Sequence, residues 1–182
     1  MVRKYMLTCL LAAAMAFPIL GNAGDKNKAN FLAATGKDTI IGVVAGHAIC
    51  AGGVPTGGSY PYCTEGTNQT VVRGEVDTSV LTDVTGSGAA MLTGATTTFV
   101  SNCNLDRNLQ GPCWGTFEMT VPGQGKWEGT WQGPFDFVRF AASYSMVGHG
   151  SGGQLEGKQL KYEAFTDGTT FYAVFTARIH GE

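Results

Sequence analysis

Between Lys126 and Phe137 the chain alternates with a period of two. Trp127, Gly129, Trp131, Gly133, Phe135 and Phe137 fall on one parity, and Lys126, Glu128, Thr130, Gln132 and Asp136 on the other. Successive side chains of a strand point to opposite faces, so this segment reads as a β-strand with one apolar face. Immediately before it, Cys113, Gly115, Phe117, Met119 and Val121 alternate with Trp114, Thr116, Glu118 and Thr120, and Pro122-Gly123-Gln124-Gly125 supplies a tight connection. The two segments form a β-hairpin.

The same pattern continues to the end of the chain. Phe140, Ala142, Tyr144 and Met146 alternate with smaller or polar residues before a turn over Gly148 to Gly153. A strand from Gln154 to Phe165 follows, whose parity slips between Leu155 and Leu160, and this predicts a bulge near Gly157. Thr166-Asp167-Gly168 turns the chain into a final strand with Phe171, Ala173, Phe175, Ala177 and Ile179 on one face. Earlier strands are expected over Asp38 to Ile49, Thr70 to Val80 and Ala89 to Val100. In the second of these, Arg73, Glu75 and Asp77 alternate with Val72, Gly74 and Val76, which assigns the acids to a solvated face. One short helix is expected over Lys28 to Thr35, ended by Gly36. About eight strands joined by short turns predict an all-β domain, a single antiparallel meander barrel, with a β-sandwich as the alternative.

The first residues carry the marks of a secretory signal: Arg3 and Lys4, an apolar stretch from Met6 to Leu20, and the small residues Gly21-Asn22-Ala23 before a cleavage site. The expected division is a signal peptide over 1–23 and one barrel domain over 24–182, exported to the periplasm or secreted. Loss of Arg3 and Lys4 with the signal takes the formal charge from -2 to -4. An acidic chain with scattered basic residues argues against nucleic acid as a partner, and no membrane insertion is expected once the signal is removed. Cys50, Cys63, Cys103 and Cys113 remain. Four cysteines allow three pairings. Loop composition favours Cys50 with Cys63 and Cys103 with Cys113, each worth about 2 to 4 kcal/mol. A metal site using His47, Cys50 and Cys63 is the rival reading, disfavoured because no C-x-x-C pair accompanies it.

Few residues offer chemistry. Gly148-His149-Gly150-Ser151-Gly152 resembles the H-G-G-G loop of esterases but lacks the G-x-S-x-G nucleophile turn that would go with it, and reads as a hairpin tip. His47, His149 and His180 stand at no metal-ligand spacing, and no metal or cofactor is implied. Glu163 is the candidate acid or base, provided that its face turns inward and burial raises its pKa. The aromatic row Trp127, Trp131, Phe137, Tyr144 and Phe175 is the candidate ligand-binding surface, because a barrel of about eight strands either fills with side chains or holds one small ligand. Asn68-Gln69-Thr70 is formally a glycosylation sequon.

The run Gly148-His149-Gly150-Ser151-Gly152-Gly153-Gln154-Leu155-Glu156-Gly157 resembles the glycine-rich hairpin of allene-oxide-cyclase-like and dirigent-like barrels, and Leu155-Glu156-Gly157-Lys158 is similar to the strand exit in those families. Gly125-Lys126-Trp127-Glu128-Gly129-Thr130-Trp131 resembles a calycin-type strand. The resemblance implies an eight-stranded barrel with a cavity for a hydrophobic small molecule, used in some members for cyclisation or stereocontrol. No catalytic residue is carried over, because no active-site motif falls on matching positions.

Three functions are therefore in competition. The first is a non-catalytic barrel that binds an apolar small molecule or a protein partner. The second is an isomerase or cyclase using an inward carboxylate. The third is a secreted inhibitor acting through its disulfide-tied loops, with Tyr60-Pro61-Tyr62 at the tip of one of them.

Overall fold

The computed structural model describes residues 31–50 and 69–181, with side chains described over 31–42 and 70–181. The signal segment, Cys63, Tyr60-Pro61-Tyr62 and the side chains of His47 and Cys50 lie outside these, so the Cys50 to Cys63 pairing and the loop-borne contact surface do too.

Eight antiparallel strands close into a barrel: β1 (Phe31–Cys50), β2 (Gln69–Thr85), β3 (Thr96–Asp106), β4 (Gln110–Val121), β5 (Gly125–Asp136), β6 (Ala141–Ser151), β7 (Gln159–Thr166) and β8 (Ala173–His180). Each strand pairs with the next in sequence, and β8 returns to β1 in a continuous register from Phe31↔His180 to Asp38↔Ala173. Closure pairs both edges of β1 as far as Asp38. The alternation seen in the sequence becomes inside and outside. Phe99, Ser101, Cys103 and Leu105 of β3, Leu160, Tyr162 and Ala164 of β7, and Ala173, Phe175, Ala177 and Ile179 of β8 are all buried.

Four local expectations are corrected. Phe31 to Thr35 belong to β1 and not to a helix, because their backbone groups are taken up by the ladder to Thr176 to His180 that closes the barrel. The strand expected to begin at Ala89 begins at Thr96, and the preceding residues make a 3₁₀ turn (Ala89–Met91) that leads Leu92 and Ala95 into the core. The parity slip before β7 is a second 3₁₀ turn (Gly153–Leu155), completed by Gly157 at φ +73°, not a bulge within one strand. The last strand starts at Ala173, which leaves Phe171 97% exposed.

The two turns stopper one end of the barrel. Leu92, Met119, Trp127, Leu155 and Ile179 are fully buried there, and Trp127 Nε1 donates to the Met91 carbonyl at 3.1 Å. At the other end the wall is uneven: β8 leaves β1 at Asp38, whereas β1 stays paired with β2 to Cys50↔Thr70. On this taller side Cys103 and Cys113 stand directly opposite each other on β3 and β4 and form a disulfide with Cα atoms 4.1 Å apart. The chemistry of the bond is compatible with an oxidising compartment. Among the described residues, no helix is long and apolar enough to cross a membrane.

Gly133 explains part of the shape. A Cβ there would run into the Ser143 carbonyl oxygen of β6, so the bare Cα lets the two strands close up where the sheet coils. Gly129 meets the Val147 carbonyl in the same way. These glycines serve strand approach and do not enlarge the interior.

Candidate functional site

Among the described residues, the end of the barrel away from the two turns leads into a cavity of about 420 Å³. Its apolar wall is built from inward residues on β3, β5 and β6, with Cys113 of the intervening β4. Trp131 and Phe135 come from β5, Tyr144 from β6 and Phe99 from β3, with Phe137 just past the end of β5. The rings brace one another. Trp131 meets Phe99 and Phe135 edge-on at 5.7 Å, Phe135 stacks on Tyr144 at 6.0 Å, and Phe137 stacks on Phe135 at 5.7 Å. Side chains held in this way keep their positions when the cavity is empty, which limits the ordering cost of binding.

Of the residues singled out in the sequence, the cavity brings together Trp131, Phe137 and Tyr144. Two others are corrected. Trp127 shares a face with Trp131 but lies four residues along the strand, in the stoppered end, where it is core. Phe175 stacks on Tyr162 with ring centroids 4.8 Å apart and packs behind the cavity instead of lining it. Glu163 is also corrected: β7 keeps a strict alternation, so Leu160, Tyr162 and Ala164 point in and Glu163 points out, exposed, opposite Ser145 and Thr176. It is in no position to act inside the barrel.

The inward acids are others. Asp38 of β1 is 3% exposed, and its Oδ2 accepts hydrogen bonds from Tyr144 Oη at 2.7 Å and Tyr162 Oη at 2.8 Å. Burial pushes the Asp38 carboxyl above the usual carboxylate range, against the opposing pull of the Ser79, Tyr144 and Tyr162 hydroxyls. Both phenols are held well above their ordinary value, by burial first and by the Asp38 charge second. Asp38 Oδ1 and the neighbouring Ser79 Oγ are buried without a hydrogen bond of good geometry; Ser79 acts on the carboxylate from outside that geometry.

Glu75 and Asp77 complete the polar side. The sequence places them on a solvated face, and the structure reverses this. Gly74, at φ +64°, forms a bulge where the β2–β3 register shifts between Val72 and Glu75. One extra residue exchanges the two faces for everything after it, so Thr70 and Val72 point in before the bulge, and Glu75, Asp77, Ser79 and Leu81 point in after it. Asp77 lies opposite the inward Phe99, and Ser101 Oγ donates to its Oδ2 at 3.2 Å. Burial raises the Asp77 carboxyl; Glu75 is pushed up to about 7, by burial first and then by the charge of Asp77.

A carboxyl whose folded pKa lies above its unfolded one binds more protons in the folded state, so it makes stability fall as pH rises between the two values. For Glu75 this window runs from 4.5 to about 7. Its side chain is only partly buried, and solvent screening reduces the effect to about 1–2 kcal/mol. Glu75→Gln is therefore expected to raise the unfolding free energy by that amount at pH 8 and to leave it unchanged at pH 4. Urea titrations at the two pH values measure this, and an equal effect at both would remove the assignment.

No Lys, Arg or His is among the described residues lining the cavity. Lys37, next to Asp38 in sequence, pairs with Asp83 at 2.6 Å, and Arg73, two residues before Glu75, is turned away by the same bulge. It donates to the Val72 and Cys103 carbonyls and to Asn104 Oδ1, and covers the Trp114 ring at 5.4 Å. Among the described residues no group of three His, Cys, Asp or Glu side chains is arranged to hold a metal ion.

No protein-family model matches the chain, and neither the curated proteins nor the solved structures include a significant match.

Proposed function

We propose that this chain is an exported, non-catalytic binding protein whose barrel takes one small molecule with a substantial apolar part. The observation that carries the reading is the braced aromatic cavity of about 420 Å³, stoppered at one end and, among the described residues, open at the other. Its volume suits a small organic ligand, and its mix of many rings with a few polar groups is the usual make-up of a ligand site. The buried Cys103–Cys113 disulfide supports a periplasmic or secreted setting. A cavity for a hydrophobic small molecule is also what the resemblance of the Gly148 to Gly157 hairpin to allene-oxide-cyclase-like and dirigent-like barrels implies.

Native mass spectrometry of the protein isolated from its source is expected to show a species heavier than the chain by one small molecule, released on unfolding. Trp131→Ala is expected to weaken rebinding of that molecule about tenfold, since a ring of this size dominates the wall. A preparation that carries no adduct, and whose tryptophan emission responds to no candidate ligand, would sink the reading.

One observation favours a second reading. Glu75, which exchanges its proton near neutrality, borders the aromatic cavity, as an acid–base isomerase or cyclase would need. Turnover of the molecule found by mass spectrometry, abolished in Glu75→Gln, would replace the binding reading by this one.

A further inference from the structure

We infer that the cavity is built for an organic cation: an ammonium or related nitrogen-centred charge carried on an apolar body of about one or two rings. This rests on the binding reading above and names the chemistry of its ligand.

Charge is the first argument. Four carboxyl groups border the cavity, Asp38, Glu75, Asp77 and Asp136. Asp136 is already engaged, accepting from the Val138 and Arg139 amides and from Gln110 Nε2 and lying 3.8 Å from the Arg139 side chain. Asp38 and Asp77 have only hydroxyl partners, and no Lys, Arg or His is among the described residues that line the cavity with them and Glu75. Acids in a part-desolvated space without a counter-charge cost stability. Burial is the leading cause of the upward pKa shift of each, and the charge of Asp77 adds to that of Glu75. A bound cation supplies what the fold leaves out.

The second argument is independent of net charge. Asp38 is 3% exposed, borders the cavity, and has one oxygen, Oδ1, with no hydrogen bond of good geometry, the Ser79 hydroxyl being the polar group beside the carboxylate. The opposite oxygen is saturated by two phenols, which fix the carboxylate with Oδ1 as its remaining acceptor. A neutral apolar ligand would leave that acceptor unsatisfied, whereas an N–H donor or a positive charge would answer it.

Third, the opposite wall consists of aromatic rings. Trp131, Phe135, Phe137 and Tyr144 stand across the cavity from β1 and β2, and ring faces attract cations as well as apolar groups. Rings on one side and carboxylates on the other match an apolar cation and disfavour an anion.

The test uses the full mature chain at pH 8 and three probes of one skeleton: benzyltrimethylammonium, its uncharged isostere neopentylbenzene, and 3-phenylpropanoate. Dissociation constants come from ligand-observed NMR. The cation is expected to bind at least about tenfold more tightly than the neutral isostere, with the carboxylate weakest. The double variant E75Q/D77N is expected to lose most of that preference, read as the ratio of the cation's dissociation constant to that of the neutral probe. Asp38→Asn, checked for folding by circular dichroism, provides a second route to the same loss. If the neutral probe or the carboxylate binds as tightly as the cation, the inference falls and the binding reading survives. A preference for the cation that persists in both E75Q/D77N and D38N also overturns it, since the charge would then be acting elsewhere. If none of the three binds, the inference falls, and the mass-spectrometric and fluorescence measurements decide the fate of the broader reading.

Discussion

Trp127→Ala is expected to lower the unfolding free energy by about 3–5 kcal/mol, the range for removing a large ring from a packed core. Trp127 has no exposed surface and sits in the stoppered end, opposite Met119 on β4 and Gly150 on β6. Strand backbones locked in a closed ladder cannot move in to fill the vacated volume, so the cavity term is retained in full. The Met91 carbonyl also loses its indole donor, and with it a tie between β5 and the turn that caps the barrel. Urea denaturation measures the loss. The folded variant should bind the ligand as the parent does, because Trp127 is outside the cavity wall. A stability loss below about 1 kcal/mol, or a matching fall in affinity, would return Trp127 to the binding surface.

The contrast between Trp127 and Trp131 shows what alternation can and cannot say. Both tryptophans are on the inward parity of β5, and the sequence makes that plain. Four residues of strand span about 13 Å, however, so one ring lies in the stopper and the other at the cavity. Parity assigns a face but not a depth. Depth depends on where the ends of the barrel are closed, and here the closing residues, Leu92 and Leu155, come from segments that read as strand in the sequence and fold as 3₁₀ turns.

The acids were hidden for a different reason. An argument from a period of two holds only while the period is unbroken, and the bulge at Gly74 exchanges inside and outside within β2. Gly74 itself was the available signal: an isolated glycine within a strand marks either a bulge or a close backbone approach. Asp38 was concealed by the helix expected over Lys28 to Thr35. Extending the strand through that segment puts Ala34, Gly36 and Asp38 on one parity, and the buried Ala34 and Asp38 bear this out. The closed barrel was legible because the evidence for it, alternation and glycine-bearing turns, is repeated in every hairpin. The site was less so because it depends on two local departures from that repetition.

The double variant Tyr144→Phe/Tyr162→Phe is expected to cost about 3–5 kcal/mol of stability at pH 8 and about 1–3 kcal/mol at pH 5. Each phenol donates to Asp38 Oδ2, and a hydrogen bond to a buried charged acceptor contributes about twice what one to a neutral acceptor does. In the parent, burial already places the Asp38 pKa above 3.8, so ionisation of this carboxyl lowers stability as pH rises from that value through the raised one. Removing the two donors takes away much of what favours the charged form and moves the folded pKa higher still. The fall of stability with pH then starts from the same unfolded value and continues further up the scale, which makes the variant's loss largest in alkaline solution. At low pH the neutral acid needs fewer donors and the variant approaches the parent. Urea titrations of both proteins across pH 5 to 8 test this. A loss that is the same at every pH would mean that Asp38 keeps one protonation state throughout, with the two phenol hydrogen bonds contributing equally at each pH. A loss that grows with pH would identify the pair as the device that holds a carboxylate inside the barrel, with one oxygen left over for a ligand.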